Sequence, residues 1–87
     1  AKSLVEARLA ACVNVLPRMT SVYTWQGEAQ TDPEYLLVIK TRRLRYPALE
    51  EALLACHPYE LPEIVATPIV AGLAGYLAWV EESTTDA

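Results

Sequence analysis

The stretch CHPYELPEIVATPIV, Cys56 to Val70, holds the single histidine of the chain, His57, with three of its six prolines. Cys56, Tyr59, Glu60 and Glu63 lie in the same stretch. A loop stiffened by Pro58 and Pro62 that presents imidazole, phenol and carboxylate can bind a metal or a small polar ligand. The same histidine closes an apolar helical stripe. At a helix C-terminus a protonated imidazole meets the negative end of the dipole and satisfies orphan carbonyls. Both readings of His57 stand, and Tyr59 and Glu63 are its companions in the first.

Cys12 offers a soft thiolate of the kind that suits Cu(I), or else packs as a small hydrophobe beside Val5 and Leu9. Cys56 shares a stripe with Leu49 and Leu53 and reads as core. Its adjacency to His57 is no metal motif, because consecutive helical residues point about 100° apart. The metal-ligand candidates are therefore His57, Cys12 and Glu63. Tyr59, Lys40, Asn14 and Trp25 are assigned to a ligand cleft, Asn14 and Lys40 reaching a carboxylate or ligand across a subunit boundary. Tyr23, Trp25 and Trp79 also fit packing or interface roles. An enzyme would need His57 as general acid or base with Glu63 or Tyr59, but no nucleophile, Gly-rich phosphate loop or second histidine completes such a constellation.

These residues must be positioned by a small set of elements. Leu4, Val5 and Leu9 mark a short amphipathic helix that Ala10 and Ala11 close. A long strand follows through CVNVLPRMTSVYTWQ, with Pro17 demanding a bulge or an edge. Gly27 and the Asp32-Pro33 pair mark the turn region. EYLLVIKT is apolar without alternation, as in a strand buried on both faces. Pro47 opens a helix carrying the stripe Leu49, Ala52, Leu53 and Cys56, and Pro58 stops it. IVATPIV, Ile64 to Val70, reads as the last strand, with Pro68 again signalling an edge or bulge. Gly72 and Gly75 lead into a short helix with Leu73, Leu77 and Val80 on one side, ending at solvated Glu81 and Glu82. A strand ahead of Ala1 would complete a β-α-β-β-α-β order, the split ferredoxin-like pattern of an α+β sandwich with an extra C-terminal helix. The expectation is a single domain over residues 1–87, N-terminally incomplete by about 10–20 residues.

Composition narrows the functional classes. The chain has 87 residues, 53% of them hydrophobic, which is more than a small monomer hides and points to a homo-oligomer. Seven basic residues against eleven acidic ones leave a net charge of −4, which argues against nucleic acid. Arg42, Arg43 and Arg45 read as a solvated strand end. Two cysteines are too few for a disulfide framework. No apolar run approaches the roughly 18 residues of a membrane span, and no signal peptide is visible.

LVEARLAACVNVLP, SVYTWQGE, LLVIKT, HPYELPEIVATPI and GYLAWV resemble, in order and over nearly the whole chain, the divalent-cation tolerance (CutA) proteins. The signatures AACVN and HPYE-P-E carry most of that resemblance. It implies a ferredoxin-like subunit in a tight homotrimer joined by long strands, similar to PII signal-transduction trimers. It also implies a non-enzymatic cytoplasmic role in tolerance of divalent metals, chiefly copper. The family motif matches His57, Pro58, Tyr59, Pro62 and Glu63. The loop AGLAG departs from the more polar sequence usual there. With no four-ligand cage legible, any metal site is weak or pooled between subunits. The alternative is a non-catalytic trimeric scaffold or small-ligand sensor that binds in interfacial clefts.

Overall fold

A computed structural model describes residues 1–56 and 61–85. The first helix, α1, runs only Lys2–Glu6, shorter than the apolar pattern suggested. Arg8 stops it by adopting a left-handed backbone at φ 60°. The Leu9 amide then bonds the Leu4 carbonyl, and the Arg8 amide bonds the Val5 carbonyl, each at 3.0 Å. That pair of bonds is a Schellman closure, and the Leu9 side chain packs back on the Leu4 cluster. Leu9 thus reaches the core from beyond the helix rather than along it.

The long expected strand is split into β1, Cys12–Val15, and β2, Met19–Trp25. β3 spans Glu28–Glu34 and β4 spans Leu37–Lys40. β1 pairs antiparallel with β4, and β2 with β3. The Leu16 amide to Leu36 carbonyl bond of 2.9 Å extends the β1–β4 ladder. Beyond it the register slips by one, because Pro17 and Arg18 on one side oppose Tyr35 alone on the other. The bulge expected at Pro17 is present, and the four strands form one interrupted hairpin.

Asp32 and Pro33 lie inside β3, not in the turn. Glu28–Glu34 is poor in strand-forming residues, so its own composition does not announce it. Cross-strand pairing with Met19–Trp25 decides its conformation, and a two-stranded ribbon tolerates a proline that lacks a donor. The turn is Gln26-Gly27, with φ of 51° and 81°. Two consecutive positive φ values match the right-handed twist of a hairpin, and Gly27 adopts one at no steric cost.

A 3-10 turn at Arg43–Arg45 leads into α2, Tyr46–Cys56. Leu4, Ala10 and Leu49 are buried together, with Leu9, Val13, Ile39, Ala52 and Leu53 against them. This small core lies between α1, α2 and one face of the β1–β4 pair. Two sequence expectations fail here. Cys56 ends α2 exposed, outside the core, which takes Leu49, Ala52 and Leu53 from the same stripe but not Cys56. Leu37 and Val38 are also exposed: Val38 leaves β4 on the face opposite Ile39, and Leu37, on the Ile39 face, lies past the residues packed against the core.

Residues 64–70 form no strand in this chain. They are apolar, yet Val65 is 77% and Val70 91% exposed. β-branched residues favour an extended backbone, but a strand exists only where a neighbour takes its hydrogen bonds, and none of the described segments does so. The last helix, α3, spans Ala74–Ser83 and contains Gly75 within it.

Arg42 and Arg45 are not a solvated cluster. Both bond the Thr84 carbonyl, from Nη2 at 2.9 Å and Nε at 2.6 Å respectively. Arg8 bonds the carbonyls of Thr85 and Glu82, each at 2.7 Å. Three guanidinium groups thereby cap the C-terminal end of α3, where carbonyls lack helical partners and the dipole is negative. Among the described residues no helix is long and apolar enough to cross a membrane.

Candidate functional site

Side chains alternate along a strand, so Val13 and Ile39, which face the core, force their neighbours to the opposite face. Cys12 and Lys40 are directly opposed partners there, and Asn14 follows two residues along. Lys40 Nζ lies 4.0 Å from Cys12 Sγ and donates to Asn14 Oδ1, which is itself 3.7 Å from the sulfur. Three of the sequence candidates therefore meet in one triangle. Cys12 is half-buried on this face rather than enclosed among Val5 and Leu9.

Trp25 and Glu63 belong to a second place. They line an open groove of about 920 Å³ along the β2–β3 ribbon, with Tyr23, Asp32, Glu34 and Leu61. Tyr23 Oη donates to Asp32 Oδ2 across the ribbon. The register explains this pair: Asp32 is opposite Ser21, one diagonal step from Tyr23. Sequence reasoning missed Asp32 because it placed Asp32-Pro33 in a turn; a hairpin register centred on Gln26-Gly27 would have found it. His57 and Tyr59 lie outside the described residues.

The donor chemistry divides accordingly. The Cys12 triangle has one soft donor and one amide oxygen, with the Lys40 nitrogen against both. The groove supplies carboxylate oxygens, suited to harder cations. Among the described residues no three His, Cys, Asp or Glu side chains converge to hold a metal ion. A single chain thus does not present a closed metal site within those residues.

Residues 1–83 match the family described as CutA1 divalent ion tolerance protein. The chain belongs to that family. The divalent-cation tolerance protein CutA of Thermus thermophilus is 55% identical over 84 residues, covering 97% of this chain and 82% of the relative. Protein CutA of Mus musculus is 46% identical over 97% of this chain, which spans only 48% of that longer protein. The solved Thermus thermophilus structure superposes with a TM-score of 0.95 at 54% identity, covering 98% of this chain and 82% of that one. A structure titled PII-like protein CutA, from Nostoc, gives a TM-score of 0.90 at 34% identity, covering 98% and 83%. The CutA1 assignment makes the chain a small α+β protein of the ferredoxin-like class, related to a PII-like fold.

Proposed function

We propose that this CutA1 chain acts in divalent-metal tolerance as a homotrimer that binds copper or another divalent cation weakly, with ligands pooled between subunits. The carrying observation is the scatter of donors within one chain. Cys12 sits on the β1–β4 face and Glu63 on the β2–β3 groove, so no described cluster is complete alone. His57 joins them as the proposed imidazole ligand. An oligomer brings such half-sites together without new residues.

The exposed apolar surface supports assembly. Val22 on the ribbon is 71% exposed, and Tyr23, Trp25, Val65 and Val70 add to it. A ribbon that buries little within its own chain gains most from pairing with other copies. The proposed role is binding and response, without catalysis, in the cytoplasm, where two free thiols are kept reduced. A small-ligand sensor is the second reading, favoured by the groove beside Tyr23 and Trp25 and by the PII-like relative.

The test is calorimetric titration of the purified protein with Cu(II), and with Cu(I) under reducing conditions, alongside sedimentation to fix subunit number. Saturable binding at integral stoichiometry per trimer, lost in His57→Ala or Cys12→Ser, supports the metal reading and selects imidazole or thiolate. Binding unchanged in both variants, or absent, transfers the assignment to the sensor reading.

A further inference from the structure

The β1–β4 ladder places a nucleophilic sulfur and a primary amine side by side. Cys12 and Lys40 are opposed residues of one antiparallel pair, so their side chains leave the same face at neighbouring points. The backbone there is pinned, since the Ala11 amide bonds the Lys40 carbonyl at 2.8 Å and Thr41 Oγ1 bonds the Leu9 carbonyl at 2.6 Å. Asn14 accepts from Lys40 Nζ and keeps the nitrogen beside Cys12 Sγ, 4.0 Å away. The flexible four-carbon stem of Lys40 can close the remaining gap without moving the strands. Cys12 is only half-buried, so a small oxidant reaches it.

We propose that Cys12 and Lys40 form an oxidation-closed pair, in which hydrogen peroxide converts the two side chains into a reversible sulfenamide cross-link. The Cys12 sulfur attacks one peroxide oxygen; an S–O bond forms, the O–O bond breaks, and the departing oxygen leaves as water after taking a proton. Sulfur loses two electrons and peroxide gains them, leaving a sulfenic acid. Lys40, as the free amine, then attacks the sulfur. An S–N bond forms, the S–O bond breaks, and the hydroxyl departs as a second water with a proton from nitrogen. One thiol, one amine and one peroxide thus give one sulfenamide and two waters. Sulfenic acids are known to close onto a backbone nitrogen as sulfenamides, and here the Lys40 amine is the nitrogen held within reach. A thiol reductant reopens the bond and restores both side chains.

The consequence is a strand pair locked covalently by oxidant, with the thiol removed from metal chemistry while the lock is closed. This step needs no bound cation, so it stands apart from the metal reading.

The experiment uses chelator-treated Cys56→Ser protein, in which an internal disulfide, also a loss of two hydrogens, cannot form. After limited peroxide, free thiols are alkylated and the protein is digested with trypsin. Modified Lys40 resists cleavage, so peptide 9–18 should appear joined to peptide 19–42, two hydrogens lighter than their sum, and should vanish with dithiothreitol. Lys40→Arg keeps the positive charge but removes the amine. It should lose the joined peptide and accumulate Cys12 sulfinic acid instead. Normal cleavage after Lys40 with Cys12 trapped as sulfenic acid by dimedone would overturn the proposal. So would a joined product that persists in Lys40→Arg.

Discussion

Arg42 grips Thr84 twice, donating from Nη2 to its carbonyl at 2.9 Å and from Nε to its hydroxyl at 3.0 Å. The two residues are separated by 42 positions, and Thr84 is fully buried. Thr84 Oγ1 also donates to the Val80 carbonyl at 2.8 Å, so the hydroxyl is used in both directions. The contact joins the segment after β4 to the end of α3. Hydrogen bonds involving a charged group contribute about 1.5–3 kcal/mol each, less where water competes. Arg42→Ala is expected to lower unfolding free energy by about 2 kcal/mol, read as a shift in the urea midpoint at fixed protein concentration. An unchanged midpoint would show that the guanidinium is dispensable there.

Arg8 has two jobs that substitutions separate. Its φ of 60° is unfavourable for a side chain bearing a Cβ, by about 1–2 kcal/mol, and its guanidinium bonds the end of α3. Arg8→Ala loses the bonds and keeps the strain, whereas Arg8→Gly loses the bonds and relieves it. Glycine should therefore be the more stable of the two variants by about 1 kcal/mol in thermal or urea unfolding. Equal stability would mean the left-handed position carries no strain.

Val22 stands out on the ribbon at 71% exposure and is among the residues that line the groove beside Tyr23 and Asp32. If that face joins copies of the chain, Val22→Glu will weaken assembly while leaving the subunit's circular dichroism intact. Sedimentation equilibrium should then show smaller species at micromolar protein. Full retention of the wild-type assembly would exclude Val22 from the interface.

Tyr46 Oη donates to Glu50 Oε2 at 2.6 Å, one helical turn along α2. That hydrogen bond, with lesser help from desolvation and the carboxylate charge, raises the phenol above its ordinary value of 10.0. A phenol that holds its proton more tightly when folded contributes stability that is fully present below its unfolded pKa. The contribution is lost as pH rises past 10 and through the raised value. Tyrosinate absorbance should show Tyr46 titrating later than in Glu50→Gln. Coincident curves would contradict the bond's role.

Local chemistry was legible where a residue's own backbone demand decides the structure. Pro17 required a bulge and the register supplies one; Gly27 marked the hairpin turn; Leu49, Ala52 and Leu53 showed the buried side of α2. Glu28–Glu34 went unrecognised because its residues favour strands weakly and yield to the pairing offered by Met19–Trp25. Ile64–Val70 failed in the opposite sense: strong propensity without a neighbour to receive its hydrogen bonds.

The sequence by itself determined the family and its α+β class, through signatures such as AACVN, and the turns and breaks that proline and glycine impose. Only the tertiary structure decided which candidates meet. Cys12, Asn14 and Lys40 come together because antiparallel register opposes residue 12 to residue 40 and the core claims the alternate positions. Trp25 and Glu63 line the other site, Cys56 ends exposed, and three arginines turn inward onto α3. Spacing along a chain sets which face a side chain takes, but proximity between distant segments depends on register and packing, which no local pattern contains.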